Sequence, residues 1–259
     1  MPEIVIKFFV FALGLIVGSF LNVCIYRMPR NLSIVKPRSF CPNCKKTVLW
    51  FDNIPLLSWI ILGGKCRHCK AKISIQYFIV EALTACVFLI LYKYFGLGAV
   101  FFIYLVFACG LIVASFIDIG HRIIPDEISL GGIVLGLLLS IMFTSLHNKA
   151  THLASGFSSL LGILIGGGII YLTGIIGDFI FKKESMGGGD VKLLGMIGAF
   201  LGWPQALLSL CLASVYGSIV GVIVKIITKD SLIPFGPFLS LGALTSLFFY
   251  DKIIMLIFP

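Results

Sequence analysis

Apolar stretches of about 18 residues or more recur along this chain, joined by short polar segments. A run of that length can cross the hydrocarbon core of a bilayer. No water is there to receive its backbone N–H and C=O groups, so it must close its own hydrogen bonds as a helix. Composition agrees. The 259 residues are 59% hydrophobic and 12% charged, with a mean hydropathy of +1.10, whereas a soluble globular domain carries roughly 25% charge. The sequence therefore predicts an all-α polytopic membrane protein and excludes the soluble classes. Its net charge of +9 is not a nucleic-acid footprint, because in a membrane protein the placement of Lys and Arg matters more than their sum.

About eight transmembrane helices are expected, over 4–25, 76–95, 99–117, 128–146, 153–181, 190–203, 205–226 and 233–257. The fifth is long enough to tilt, or to break near Gly166-Gly167-Gly168. The first lacks a basic start and a small-residue cleavage site, so it reads as a spanning helix and not as a cleaved signal. With the segment 26–75 inside, 118–127, 182–192 and 225–232 also face the cytoplasm, and these four segments hold 16 of the 20 Lys and Arg. That asymmetry predicts a cytoplasmic 26–75 segment and extracytoplasmic amino and carboxyl termini. The chain thus divides into a first transmembrane helix (1–25), a small cytoplasmic four-cysteine domain (26–75) and a membrane domain (76–259).

Fifty residues are too few for a hydrophobic core alone to stabilise the cytoplasmic piece. CPNC and CRHC place Cys41, Cys44, Cys66 and Cys69 as two CxxC knuckles. Two such knuckles bring four thiolates around one ion, and zinc is the expected occupant. A redox dithiol pair and unmetallated cysteines are the competing readings, while His68 reads as a solvated turn residue. Cys24, Cys86, Cys109 and Cys211 fall in spans and read as packing residues.

Acids are scarce in the apolar spans, where each costs about 2.5–3.5 kcal/mol on insertion scales. Asp118 closes the third span in ASFIDIGHRIIPDEIS, and Asp190 opens the sixth in SMGGGDVKL. On the predicted topology both lie at the cytoplasmic edge of the bilayer. Two carboxylates held close share a proton; the ionised one deprotonates water and the protonated one polarises a carbonyl. Gly187, Gly188 and Gly189 would let the backbone enter conformations closed to other residues beside a substrate strand. Helix capping is the plain alternative for Asp190 and the favoured reading for Asp126, with Glu127 in the same first turn. Glu81 either snorkels or faces a substrate or cofactor groove. Asp178 and Glu184, beside Lys182 and Lys183, read as solvated interface charges.

These stretches carry a resemblance. GSFLNVCIYRMP (18–29), the paired CxxC knuckles, NIPLLSWIILGGKC (53–66), FIDIGHRIIPD (116–126), MGGGDVKLLGMIGAFLGW (186–203) and IPFGPFLSLG (233–242) together resemble the bacterial type IV prepilin peptidases over nearly the whole chain. The resemblance implies an integral GxGD aspartic endopeptidase whose catalytic pair is Asp118 and Asp190, with Gly187 and Gly189 in the motif. It implies cleavage of prepilin or pseudopilin leaders at the cytoplasmic membrane face. Methylation of the new amino-terminal residue from S-adenosylmethionine is implied too, since members with the long first cytoplasmic segment are bifunctional.

Two departures stand out: Gln76-Tyr77-Phe78 occupies the position where the family often has Arg-Tyr-Pro, and the 147–152 loop is longer. No glycine-rich S-adenosylmethionine fingerprint is present, leaving Glu81 and the 18–30 stretch as the candidates for that site. Basic residues of 26–75 are assigned to topology and contact with anionic membrane lipids, and no nucleic acid is expected as a partner. Cleavage without methylation, a proton-coupled transporter using the acids as a relay, and a zinc-domain scaffold are the competing functions.

Overall fold

The computed structural model describes residues 2–147, 149–182, 187–228 and 233–257; Lys183, Glu184 and Met186 lie outside them. Among the described residues there is no strand, and nine α-helices follow one another: α1 (Glu3–Arg27), α2 (Leu57–Ile61), α3 (Gln76–Phe95), α4 (Ala99–His121), α5 (Asp126–Met142), α6 (His152–Phe181), α7 (Gly188–Leu201), α8 (Trp203–Thr228) and α9 (Gly236–Ile257). Six of them, α1, α3, α4, α6, α8 and α9, are long and apolar enough to cross a membrane. The other two expected spans are the shorter α5 and α7, of 17 and 14 residues. The protein is an all-helical multi-pass membrane protein.

Helix ends follow local chemistry. Gly96 (φ +62°) closes α3, and Gly202 (φ +80°) closes α7, each in the left-handed region that glycine enters without a side-chain penalty. Thr151 Oγ1 accepts from the Ala154 N–H and caps α6. α6 runs unbroken through Gly166-Gly167-Gly168. The expectation for α4 stopped at 117, but the helix goes on to His121 because the next breaker is Pro125.

The chain packs as two compact units, Met1–Val113 and Ala114–Pro259, the division falling inside α4. In the first unit α3 lies against α1, with Gly14 on Ala85 and Gly18 on Glu81 and Thr84; a methyl group at Gly14 would sit 2.6 Å from the Ala85 Cα. In the second unit α7 is the core, and every residue from Leu193 to Leu201 is buried. α6 crosses it so closely that a methyl group on Gly162 would overlap the Gly198 carbonyl, and the reverse holds equally. α9 crosses α8 in the same manner at Gly242 and Ser209. Buried hydroxyls bond across these crossings, Ser159 to Ala199 O (2.9 Å) and Ser246 to Gln205 O (3.1 Å). Small residues with interhelical hydrogen bonds are how helices associate where lipid is as apolar as leucine. Large apolar side chains such as Phe157, Ile219 and Leu256 point outward.

A bulky side chain at the α6–α7 crossing should separate the two backbones. Gly198→Leu is expected to cost about 3 kcal/mol or more by overpacking, read as a lower thermal midpoint in detergent. Gly168→Ala, which meets nothing within 4 Å, should be neutral in the same measurement.

Candidate active site

Asp118 lies three residues before the end of α4, only 6% exposed. Its Oδ2 accepts the backbone N–H of Gly236, the first residue of α9, at 2.9 Å. Position 236 has no room for a side chain, since a Cβ there would lie 2.7 Å from that oxygen. Asp190 sits in the first turn of α7 and interacts electrostatically with Asp118. Ile124 fills the space beside them, within 3.1 Å of a Cβ built on Gly189 and within 3.3 Å of one built on Gly236. Both acids belong to the second unit, so the 72 positions between them in sequence are closed by the fold.

The glycine stretch works differently from the sequence expectation. Gly187 is extended (φ −73°, ψ 134°), Gly188 and Gly189 are helical, and none has a positive φ. Absence of bulk is needed at Gly189, where a methyl group would press on Ile124 at 3.1 Å; one at Gly187 would make ordinary contact with Asp190 Oδ2 (3.5 Å), and one at Gly188 would meet nothing within 4 Å. Asp190 does not cap its helix, because the N-cap is Gly187 and no side-chain cap bond forms. Asp126 is not a cap either. Pro125 holds that position, and Asp126 Oδ1 instead receives Lys192 Nζ at 2.7 Å, tying the start of α5 to the residue two beyond Asp190. Gly236, Ile124 and the Asp126–Lys192 pair were not assigned roles from sequence. The glycine of IPFGPF, set between an aromatic residue and a proline, was the available signal.

In the first unit the two knuckles are copies of one turn. Cys41 N–H donates to Lys46 O and Lys45 N–H to Cys41 O; Cys66 N–H donates to Ala71 O and Lys70 N–H to Cys66 O. Lys45 and Lys70 take the same left-handed conformation (φ +59° and +58°). The four Sγ atoms lie within 4.8 Å of one another, so the cluster could hold a metal ion. The chemistry of the donor set fits: two cysteine sulfurs from each of two matching turns are the donors a tetrahedral structural zinc site takes. Arg67 makes a bidentate pair with Asp52 (2.6 and 2.7 Å) that holds this carboxyl below its usual range and fastens the 50–53 turn to the second knuckle. His68 is not in the cluster. Glu81 is buried at the α1–α3 crossing, 7% exposed.

These features define a class: a multi-pass helical membrane protein with two interacting carboxylates in its membrane unit and a four-thiol module outside the long helices. The model of the bacterial peptidase A24 N-terminal domain matches residues 12–95, and that of the type IV leader peptidase family matches 105–222. The prepilin leader peptidase/N-methyltransferase of Myxococcus xanthus is 37% identical over 85% of this chain, which spans 63% of that relative. The type 4 prepilin-like proteins leader peptide-processing enzyme of Escherichia coli is 35% identical over 91% of each chain. The prepilin leader peptidase/N-methyltransferase of Legionella pneumophila is 34% identical over 93% of this chain and 90% of its own. No solved structure matches. The chain belongs to the type IV leader peptidase family.

If the four thiols share an ion, purified protein should contain one divalent metal per chain by elemental analysis. A strong chelator should release it and open the 49–62 loop to protease, and Cys66→Ser should abolish metal retention.

Proposed function

We propose that this protein removes the leader of prepilin-like precursors at the cytoplasmic face of the bacterial inner membrane and then methylates the amine it exposes. What supports the hydrolytic step is that Asp118 and Asp190 lie in one unit and interact electrostatically, with Asp118 Oδ2 held by the Gly236 N–H. Of the two carboxyl groups, the ionised one takes a proton from water as its oxygen attacks the scissile carbonyl. The protonated one gives its proton to the carbonyl oxygen. Collapse of the tetrahedral carbon then breaks the C–N bond, and the departing nitrogen receives a proton from the pair. Neither a serine or cysteine nucleophile nor a metal enters this step.

A precursor with a hydrophilic leader in the cytoplasm and an apolar helix in the membrane presents its scissile bond at the interface. The acids are placed to meet it there if the 26–75 segment is cytoplasmic and both termini are outside, as the 16-of-20 distribution of Lys and Arg supports. Cys41, Cys44, Cys66 and Cys69 would hold a structural zinc ion that ties the two knuckles together. S-adenosylmethionine, when bound, supplies an electrophilic methyl group. The acceptor is an α-amine of ordinary pKa, about 7.7–8.0, so a usable neutral fraction exists near neutral pH.

The test is incubation of the purified chain with a synthetic precursor, with and without S-adenosylmethionine, followed by mass spectrometry. Asp118→Asn and Asp190→Asn should each abolish leader removal. A transporter or scaffold role predicts that no leader is removed by the unaltered protein. Gly236→Ala, which pushes Asp118 from its place, should slow cleavage by about tenfold to a hundredfold, as misplacement of a reacting group does.

A further inference from the structure

The α1–α3 crossing of the first unit buries polar groups that hydrolysis does not use. Asn22 is 3% exposed and Glu81 7%. Asn22 Nδ2 donates to Tyr77 O (3.0 Å) and, at greater length, to Gly18 O (3.4 Å). Those bonds set the amide's orientation and leave Asn22 Oδ1 buried with no partner. Glu81 lies one helical turn beyond Tyr77, its Cα against Gly18 on the facing helix. No cation among the described residues pairs with it. Glu81 Oε2 accepts the Leu56 N–H at 2.8 Å.

Leu56 reaches that oxygen with φ +60° and ψ −52°, a conformation that strains a non-glycine residue by about 1–3 kcal/mol and persists where the surroundings impose it. A buried acceptor without a donor costs about 1–3 kcal/mol, and a buried carboxylate without a cation costs more. The crossing therefore gathers acceptors, lacks a charged donor, and is covered by a loop amide held under strain.

We propose that Asn22 and Glu81 form a binding site for a primary ammonium group used in methyl transfer, with the Pro55-Leu56 turn as its cover. Several N–H donors on one positive nitrogen match what this pair lacks. The site rests on the methyl-transfer reading above. Two molecules of that reaction carry the group: the methyl donor, at its α-carbon, and the cleaved substrate, whose new terminal ammonium passes one proton to the Glu81 carboxylate before its nitrogen bonds to the donor's methyl carbon and the S–CH3 bond breaks.

The experiment uses the full chain in nanodiscs, a synthetic precursor, its pre-cleaved form and labelled S-adenosylmethionine. Glu81→Gln should lower the methylated fraction of cleaved product by about tenfold or more, as loss of a charge-assisted hydrogen bond implies. Asn22→Leu should lower it in the same direction, and Glu81→Asp should restore part of it. Equilibrium dialysis without peptide separates the sources. Weaker binding of S-adenosylmethionine to Glu81→Gln assigns the site to the donor's ammonium. Unchanged donor binding, with a higher half-saturating concentration of pre-cleaved substrate, assigns it to the freed amine. The site is refuted if both variants methylate and bind donor as the unaltered protein does. It is equally refuted if cleavage, methylation and thermal midpoint all fall together, which marks a packing role. If the unaltered protein cleaves but neither binds donor nor transfers a methyl group, methyl transfer itself is removed, a result seen before any substitution is made.

Discussion

The second unit is organised by a helix that is too short. At 14 residues, α7 is about 21 Å long, roughly 10 Å less than the thickness of a bilayer's hydrocarbon core. Such a helix cannot face lipid along its length with its ends exposed, because the unpaired N–H and C=O groups there would have no partner. It is sheathed instead, and Leu193 to Leu201 are all buried. Gly162 and Gly198 let α6 approach to backbone contact. Since α8 starts at Trp203, directly after the Gly202 turn, the shortfall is left at the other end. At that end Asp190 stands in the helix's first turn.

The first unit solves a different problem. Its 26–75 segment has little apolar core, so polar contacts set the geometry there. Arg27, 4% exposed, donates to Ser33 O and Pro37 O (both 2.8 Å), drawing the chain after α1 back onto the helix end. Asp52 and Arg67 link the intervening loop to the second knuckle. Trp50 and Ile61, about three-quarters exposed, show how little burial this segment achieves unaided. Four thiols within reach of one ion replace the core it lacks.

Much of this was legible from residues alone. The membrane spans follow from apolar run length, and most boundaries fall within a few residues of the observed helices. The four-thiol cluster follows from two identical spacings, and the two acids from their scarcity. What could not be read depends on contacts between distant positions. The pairing of Asp126 with Lys192, 66 residues away, removed a cap that composition suggested. Glycines 187–189 suggested unusual backbone angles, yet none has a positive φ and only Gly189 is tightly placed, against Ile124. An amide can serve a carboxylate from any residue type, so the sequence marked the position of Gly236 through IPFGPF but not the bond its N–H makes.

That amide belongs to the last helix. The family match ends at residue 222, and both acids precede it, but the group that holds Asp118 Oδ2 arrives only with α9. A ribosome that has released α4 and α7 has therefore made both acids before the amide that holds one of them. Insertion of the terminal segment is then the last step in setting Asp118: a chain that stops before α9 carries both acids without that hydrogen bond.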